Sequence, residues 1–155
     1  MHGDKRNISK DNFQNLKKKA RYRFFLNSYL DHAFTRCPKC RMTTRVRKFC
    51  LIIHIDPRYL ISLNKTCRYC PNCDLVILKQ QELENYLYAI CERNFPDVIG
   101  NDYFLLGTMD RKDWKEGKLN AFNSRQTIEK LTHPFKEVWN FDVILGGWKR
   151  NSFER

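Results

Sequence analysis

Apolar residues recur every three to four positions in some stretches of the chain and alternate or run together in others, and these changes of period mark out its elements. Over residues 10–34, Phe13, Leu16, Ala20 and Phe24 recur at helical spacing, with Tyr22, Leu26, Tyr29 and Ala33 on roughly the opposite face. That pattern predicts a helix that is buried on both sides in its second half or breaks near Asn27-Ser28, with Lys17, Lys18, Lys19, Arg21 and Arg23 filling the arcs between the faces. Residues 43–49 alternate with period two and are rich in β-formers, so a strand is expected there, continued by a largely apolar segment over 50–55. Asp56-Pro57-Arg58 is a turn, because Pro57 fixes its own φ and pushes Asp56 out of the helical region. Residues 61–66 alternate again, and 75–78 read as a short buried strand.

The period changes once more over 80–94, where Leu83, Leu87 and Ile90 share a helical face and Glu82 and Glu84 occupy the first turn, favoured by the helix dipole; Phe95-Pro96 ends it. A strand is expected over 103–108, with Asp110 capping a short helical turn through Trp114. Residues 117–123 read as a loop, Ser124 as the cap of a helix to about Leu131 ended by Pro134, and 138–145 as a last strand stopped by Gly146-Gly147. The expected fold class is α+β. A basic helical segment spans 1–35, β-hairpins span 36–79, and a small α/β C-terminal part spans 80–155 and packs on them as one compact unit.

The cysteines add a chemical constraint. Cys37-Pro38-Lys39-Cys40 is answered by Cys70-Pro71-Asn72-Cys73, with 29 residues between Cys40 and Cys70. Each Cys-x-x-Cys turn holds two sulfurs at the bite that tetrahedral Zn²⁺ needs, so Cys37, Cys40, Cys70 and Cys73 are expected to bind one zinc ion per chain. Cys67 is the alternate ligand, since Cys67-Arg68-Tyr69-Cys70 is an overlapping turn of the same kind; Cys70 with Cys73 is preferred because that pair repeats the proline of the first turn. Cys67, Cys50 and Cys91 then read as buried core thiols.

The two turns together resemble the zinc ribbon group, in which a pair of Cys-x-x-Cys turns at the ends of β-hairpins clamps one zinc. The resemblance covers roughly residues 36–78 and implies a structural site. A glycine often follows each turn in that group, in the left-handed conformation, and Arg41 and Asp74 stand at those places here. The run from Cys67 to Cys73 also resembles part of a bacterial ferredoxin motif, but Ile77 stands where its fourth cysteine would be.

Charge then points to a partner. The formal net charge is +12, and residues 1–50 hold 14 Lys/Arg against 3 Asp/Glu, while 51–110 hold 5 against 8 and 111–155 hold 10 against 6. A field concentrated on the first third attracts polyanions, nucleic acid first. The expected contact residues are Lys17, Lys18, Arg21 and Arg23 from the helical segment with Arg45 and Arg47 from the hairpin. The two hairpin arginines would project from one face about 6.6 Å apart, a spacing that suits backbone contacts of low sequence specificity to RNA or DNA, within a larger complex or alone. Tyr22 or Tyr69 could add base stacking, with core packing the other role for Tyr22.

Two other classes stay open. His54 and Asp56, at i and i+2 on one strand, could form an acid–base pair joined by Asp110, Asp113 and His133, with the chain a metal-stabilised hydrolase. The sequence has no His-Glu-x-x-His, no phosphate-binding glycine loop and no nucleophile elbow, which favours a supporting role for that pair. A protein–protein adaptor using the apolar C-terminal strands is the third class. Residues 51–55 are too short to cross a bilayer and the N-terminus starts no apolar run, so a reducing cytoplasm and no membrane are expected.

Overall fold

The structure, a computed structural model, describes residues 16–120 and 125–151. Nine strands dominate the described residues: β1 (Arg23–Asn27), β2 (Arg45–Ile55), β3 (Tyr59–Cys70), β4 (Leu75–Lys79), β5 (Tyr103–Met109), β6 (Thr132–Pro134), β7 (Glu137–Trp139), β8 (Phe141–Ile144) and β9 (Gly147–Arg150). The helices are α1 (Gln80–Asn94), α2 (Arg111–Asn120) and α3 (Arg125–Leu131), with a short 3₁₀ turn at Pro96–Val98. The first seven strands form one mixed sheet in the order β6-β5-β2-β3-β4-β1-β7, and β8 pairs with β9 as a separate hairpin.

This mostly β architecture corrects the expected α+β class, and the basic N-terminal helix is its main casualty. Residues 10–15 of the expected helix lie outside the described residues; from Leu16 onward the chain is irregular and then enters β1. Tyr22 has φ of 69°, which a right-handed helix cannot accommodate. Of the residues on the two apolar faces read as helical, Phe24 and Leu26 belong to a strand covered on both sides. Phe24 packs into one core with Val76 and Phe135, while its neighbour Phe25 packs into another with Phe34, Leu75 and Trp139. Sequence spacing could not reveal this, because β1 lies parallel between β4 and β7, partners some fifty and more than a hundred residues away.

Three strands of the expected C-terminal α/β part, β5, β6 and β7, join the same sheet. β5 pairs antiparallel with β2, and the single strand expected over 138–145 divides at Asn140 into β7, on the sheet edge, and β8, in the hairpin. The helix over 80–94 is present, with Leu83, Leu87 and Cys91 buried. The expected turn after Asp110 is instead a helix through Asn120; the proposed Ser124 cap and residues 121–123 of the expected loop lie outside the described residues.

The sheet curls into a half-barrel that brings its two end strands near each other. β6 and β7 stand at opposite ends of the strand order, yet only Phe135 and Lys136 separate them in sequence, a step of about 11 Å at most. Backbone bonds stitch this seam: Arg21 N–H to Pro134 O at 2.9 Å, Lys136 N–H to Tyr22 O at 2.7 Å and Phe135 N–H to Leu106 O at 3.2 Å. Phe135 fills the seam from within, its ring stacked 4.8 Å from that of Phe24. The inner face holds Phe49, Leu51, Ile53 and Ile55 of β2, capped by Leu83 and Leu87 of α1, whereas Cys50 and Ile52 face outward onto Ile128 of α3. Burial on both faces explains the largely apolar run over 49–55, interrupted only by His54.

Candidate metal centre and basic rim

Both cysteine turns are built by short-range backbone pairing. An isolated bridge between Arg36 and Thr43 closes the first, inside which the N–H of Cys37 bonds Met42 O at 2.8 Å and that of Arg41 bonds Cys37 O at 2.9 Å. The second is the hairpin turn between β3 and β4, where Cys70 pairs with Leu75. Arg41 (φ 69°) and Asp74 (φ 56°) leave the two turns in the left-handed conformation without glycine. The four sulfurs of Cys37, Cys40, Cys70 and Cys73 lie within 4.8 Å of one another. Cys37 and Cys73 are 3.9 Å apart and Cys40 and Cys70 are 3.5 Å apart.

Those separations test the fit to a metal. Four sulfurs at about 2.3 Å from one tetrahedral ion lie about 3.8 Å from each other, so the cluster is compatible with a zinc-binding site. Two sulfurs also accept backbone N–H groups, Cys37 from Lys39 and Cys70 from Cys73, both at 3.4 Å. Burial raises the Cys70 thiol to about 11 and also pushes Cys73 up, with the neighbouring Cys37 sulfur adding to the latter. Burial opposes ionisation of Cys40 too, but donors from Met42, Asn72, Cys70 and Cys73 bring it to about 7. Four thiols this close shed their protons together only when a cation takes their place.

Cys67 stands apart from the cluster. It faces the half-barrel interior, 3.6 Å from Lys65 O, and burial lifts its thiol to about 12. Cys50 and Cys91 are buried in the cores as expected. The cluster fastens the 17 residues between β1 and β2 to the β3–β4 hairpin, against Phe25, Phe34, Trp139 and Phe141.

The expected basic residues are not gathered on one helix. Lys18 lies 3.9 Å from both Asp110 and Asp113, Arg21 is paired with Asp110 at 3.2 Å, and Arg23 with Glu137 at 3.1 Å. Lys17 is exposed beside them. Arg45 and Arg47 share one face of β2, at its exposed end, and among the described residues neither is paired with a carboxylate. Arg47 lies over three aromatic rings, 4.9 Å from Phe49 and Tyr69 and 5.7 Å from Tyr22. The rings proposed for base stacking are thus covered by a guanidinium, and Tyr69 donates its hydroxyl to Asp74 at 2.5 Å. Lys48 and Arg111, which also border this rim, were not singled out by the sequence; Lys48 follows Arg47 directly, but Arg111 arrives through the β5–α2 junction.

His54 is buried on the outer face of β2, with Nε2 3.2 Å from Asp56 Oδ1 and Nδ1 3.5 Å from Arg125 Nη2. Burial and the Arg125 charge hold it below the ordinary histidine range, against the opposing bond to Asp56. Arg125 also binds Glu129 at 2.9 Å and Arg58 O at 3.0 Å. Asp110, Asp113 and His133 do not join this group. His54 pairs across to Phe104 and His133 to Thr108, levels about 13 Å apart along β5. No helix among the described residues is long and apolar enough to cross a membrane. Comparison of the chain with protein families, curated proteins and solved structures finds no match.

Proposed function

We propose that the protein is a zinc-stapled half-barrel of β-strands that binds the backbone of RNA or DNA, with the metal structural and the exposed end of β2 as the contact strip. The observation that carries the reading is the run Arg45-Val46-Arg47-Lys48, four exposed residues extending β2 past its buried half and holding three cations unpaired with carboxylates among the described residues. Arg45 and Arg47 alternate on one face, at a spacing close to that of neighbouring phosphates along a strand. Aromatic rings beneath Arg47 hold its guanidinium in place, which reduces the entropy lost when it meets a phosphate. Zinc is the ion of choice because four thiolates at single-ion spacing suit it, whereas a multi-iron cluster would separate the sulfurs further. All four ligand positions are protein sulfur, so such a site supplies folding free energy and leaves no position for a substrate.

Protein purified without added nucleic acid tests both halves on one sample. The reading expects a 260/280 absorbance ratio that falls after nuclease and high-salt washing, and one zinc per chain by metal analysis. A clean protein spectrum with no bound metal contradicts it.

A further inference from the structure

Where the start of β1, the exposed end of β2 and the β5–α2 junction meet, they enclose a polar cavity of about 270 Å³. Arg21, Arg47, Lys48 and Arg111 line it against one carboxylate, Asp110. That carboxylate is already engaged by Arg21 at 3.2 Å, His133 at 3.3 Å and Lys18 at 3.9 Å, so the cavity keeps a surplus of positive charge. Tyr22 organises it. Its phenol oxygen accepts one bond from Arg21 Nη2 at 2.7 Å and another from Arg47 Nη2 at 3.2 Å, which holds the two guanidinium groups within about 6 Å of each other. Two like charges held that close by a neutral acceptor repel, and an oxyanion between them removes the repulsion. With both acceptor positions of the phenol occupied, its O–H hydrogen remains as a further donor toward such an anion.

We propose that this cavity binds a phosphate monoester. A doubly charged group with three terminal oxygens matches a fork of guanidinium donors and two more cations better than a singly charged phosphodiester does. The volume lies below the range of pockets that enclose a drug-sized molecule, so the ligand presents its phosphate and leaves most of its body outside. As the terminal phosphate of a strand lying along Arg45 and Arg47, the group rests on the nucleic-acid reading above; as a free nucleotide it does not.

Binding of a single strand of about eight nucleotides, carrying either a 5′-phosphate or a 5′-hydroxyl, is measured by fluorescence anisotropy on the zinc-loaded full chain. A nucleoside 5′-monophosphate is titrated separately and followed by the amide resonances of Arg47 and Thr108. The phosphorylated strand is expected to bind about tenfold more tightly or better, and Arg111→Gln, altering one exposed side chain outside the Arg45–Lys48 strip, is expected to remove most of that preference while retaining binding of the hydroxyl strand. A resonance shift with the monophosphate but no binding of either strand assigns the cavity to free nucleotides and ends the nucleic-acid reading alone. Equal binding of both strands with no monophosphate shift overturns the cavity proposal and leaves the nucleic-acid reading standing. No response to any of the three ligands overturns both.

Discussion

Cys67 and Cys70 lie three residues apart on β3 and project to opposite faces of the sheet, Cys67 into the half-barrel interior and Cys70 into the four-sulfur cluster. An odd separation on a strand always has this outcome, so the two overlapping Cys-x-x-Cys turns cannot both serve the metal while β3 stays extended. Replacing Cys37, Cys40, Cys70 or Cys73 by Ser is expected to release zinc and unfold at least the lobe between β1 and β2, since structural zinc contributes about 10 kcal/mol or more in small modules. Cys67→Ser keeps the full metal content and costs about 1–3 kcal/mol for a hydroxyl in an apolar interior. Metal analysis of the five variants checks this. Zinc lost from Cys67→Ser and kept by Cys73→Ser would reverse the assignment.

Gly107 faces the β5–β6 seam so closely that an added Cβ would sit 1.9 Å from the backbone oxygen of His133. Backbone cannot give way as a flexible side chain does. Gly107→Ala therefore separates β6 from β5 and is expected to destabilise the sheet by about 3 kcal/mol or more, read as a lowered urea midpoint. A change within about 0.5 kcal/mol would show that the seam does not constrain the fold.

The depressed His54 gives a pH dependence of definite sign. Its folded value lies below the unfolded value of about 6.5, so the unfolded chain binds the extra proton more readily. The neutral ring, between Asp56 and Arg125 with Glu129 behind, contributes stability present above that unfolded value and lost as pH falls from it toward the folded one. His54→Gln, which hydrogen-bonds but does not titrate, should shallow the fall in melting temperature between pH 7 and 5. Both proteins are compared with zinc in excess, so that loss of metal in acid affects them alike. Parallel curves would mean that His54 does not titrate in this window.

Local chemistry was the legible part of this chain. The two Cys-Pro-x-Cys turns, the strand stretches within β2 and β3 and the α1 helix are set by residues near one another in sequence, and the structure has them. What could not be read is pairing between distant segments. β1 is sheltered on both faces, so Phe24 and Phe25 are both buried and no alternation survives to mark a strand. The result imitates a helix with two apolar faces. The sites divide in the same way. The cysteines announce themselves by spacing, whereas the setting of Arg47 depends on Tyr22, Phe49 and Tyr69 converging from three strands or their approaches, and the cavity needs Arg111 from a fourth segment. Arg21 and Arg23, grouped with Arg47 by charge, turn out to spend much of theirs on Asp110 and Glu137.

Tyr22→Phe separates the two roles of the rim. The ring stays, so packing against Phe49 and Tyr69 persists, but the oxygen that draws Arg21 and Arg47 together is gone. Melting is expected to fall by no more than the loss of about 1 kcal/mol, while the preference for a 5′-phosphorylated strand declines severalfold. An unchanged preference would show that the phenol does not organise the cavity.

The most direct measurement is the salt dependence of nucleic-acid affinity for the zinc-loaded protein and its Arg45→Gln/Arg47→Gln variant. Counterion release makes the logarithm of the binding constant fall linearly with the logarithm of salt concentration, by about 0.7–0.9 per phosphate neutralised. Contacts to four to six phosphates give a slope of about −3 to −5, and the double variant should flatten it by between about one and two with zinc content unchanged and a loss of stability of only about 1 kcal/mol from the ring contacts of Arg47. The account is contradicted if the wild-type protein binds neither single- nor double-stranded RNA or DNA at about 50 mM salt, where this electrostatic attraction is strong, or if the variant keeps the full slope.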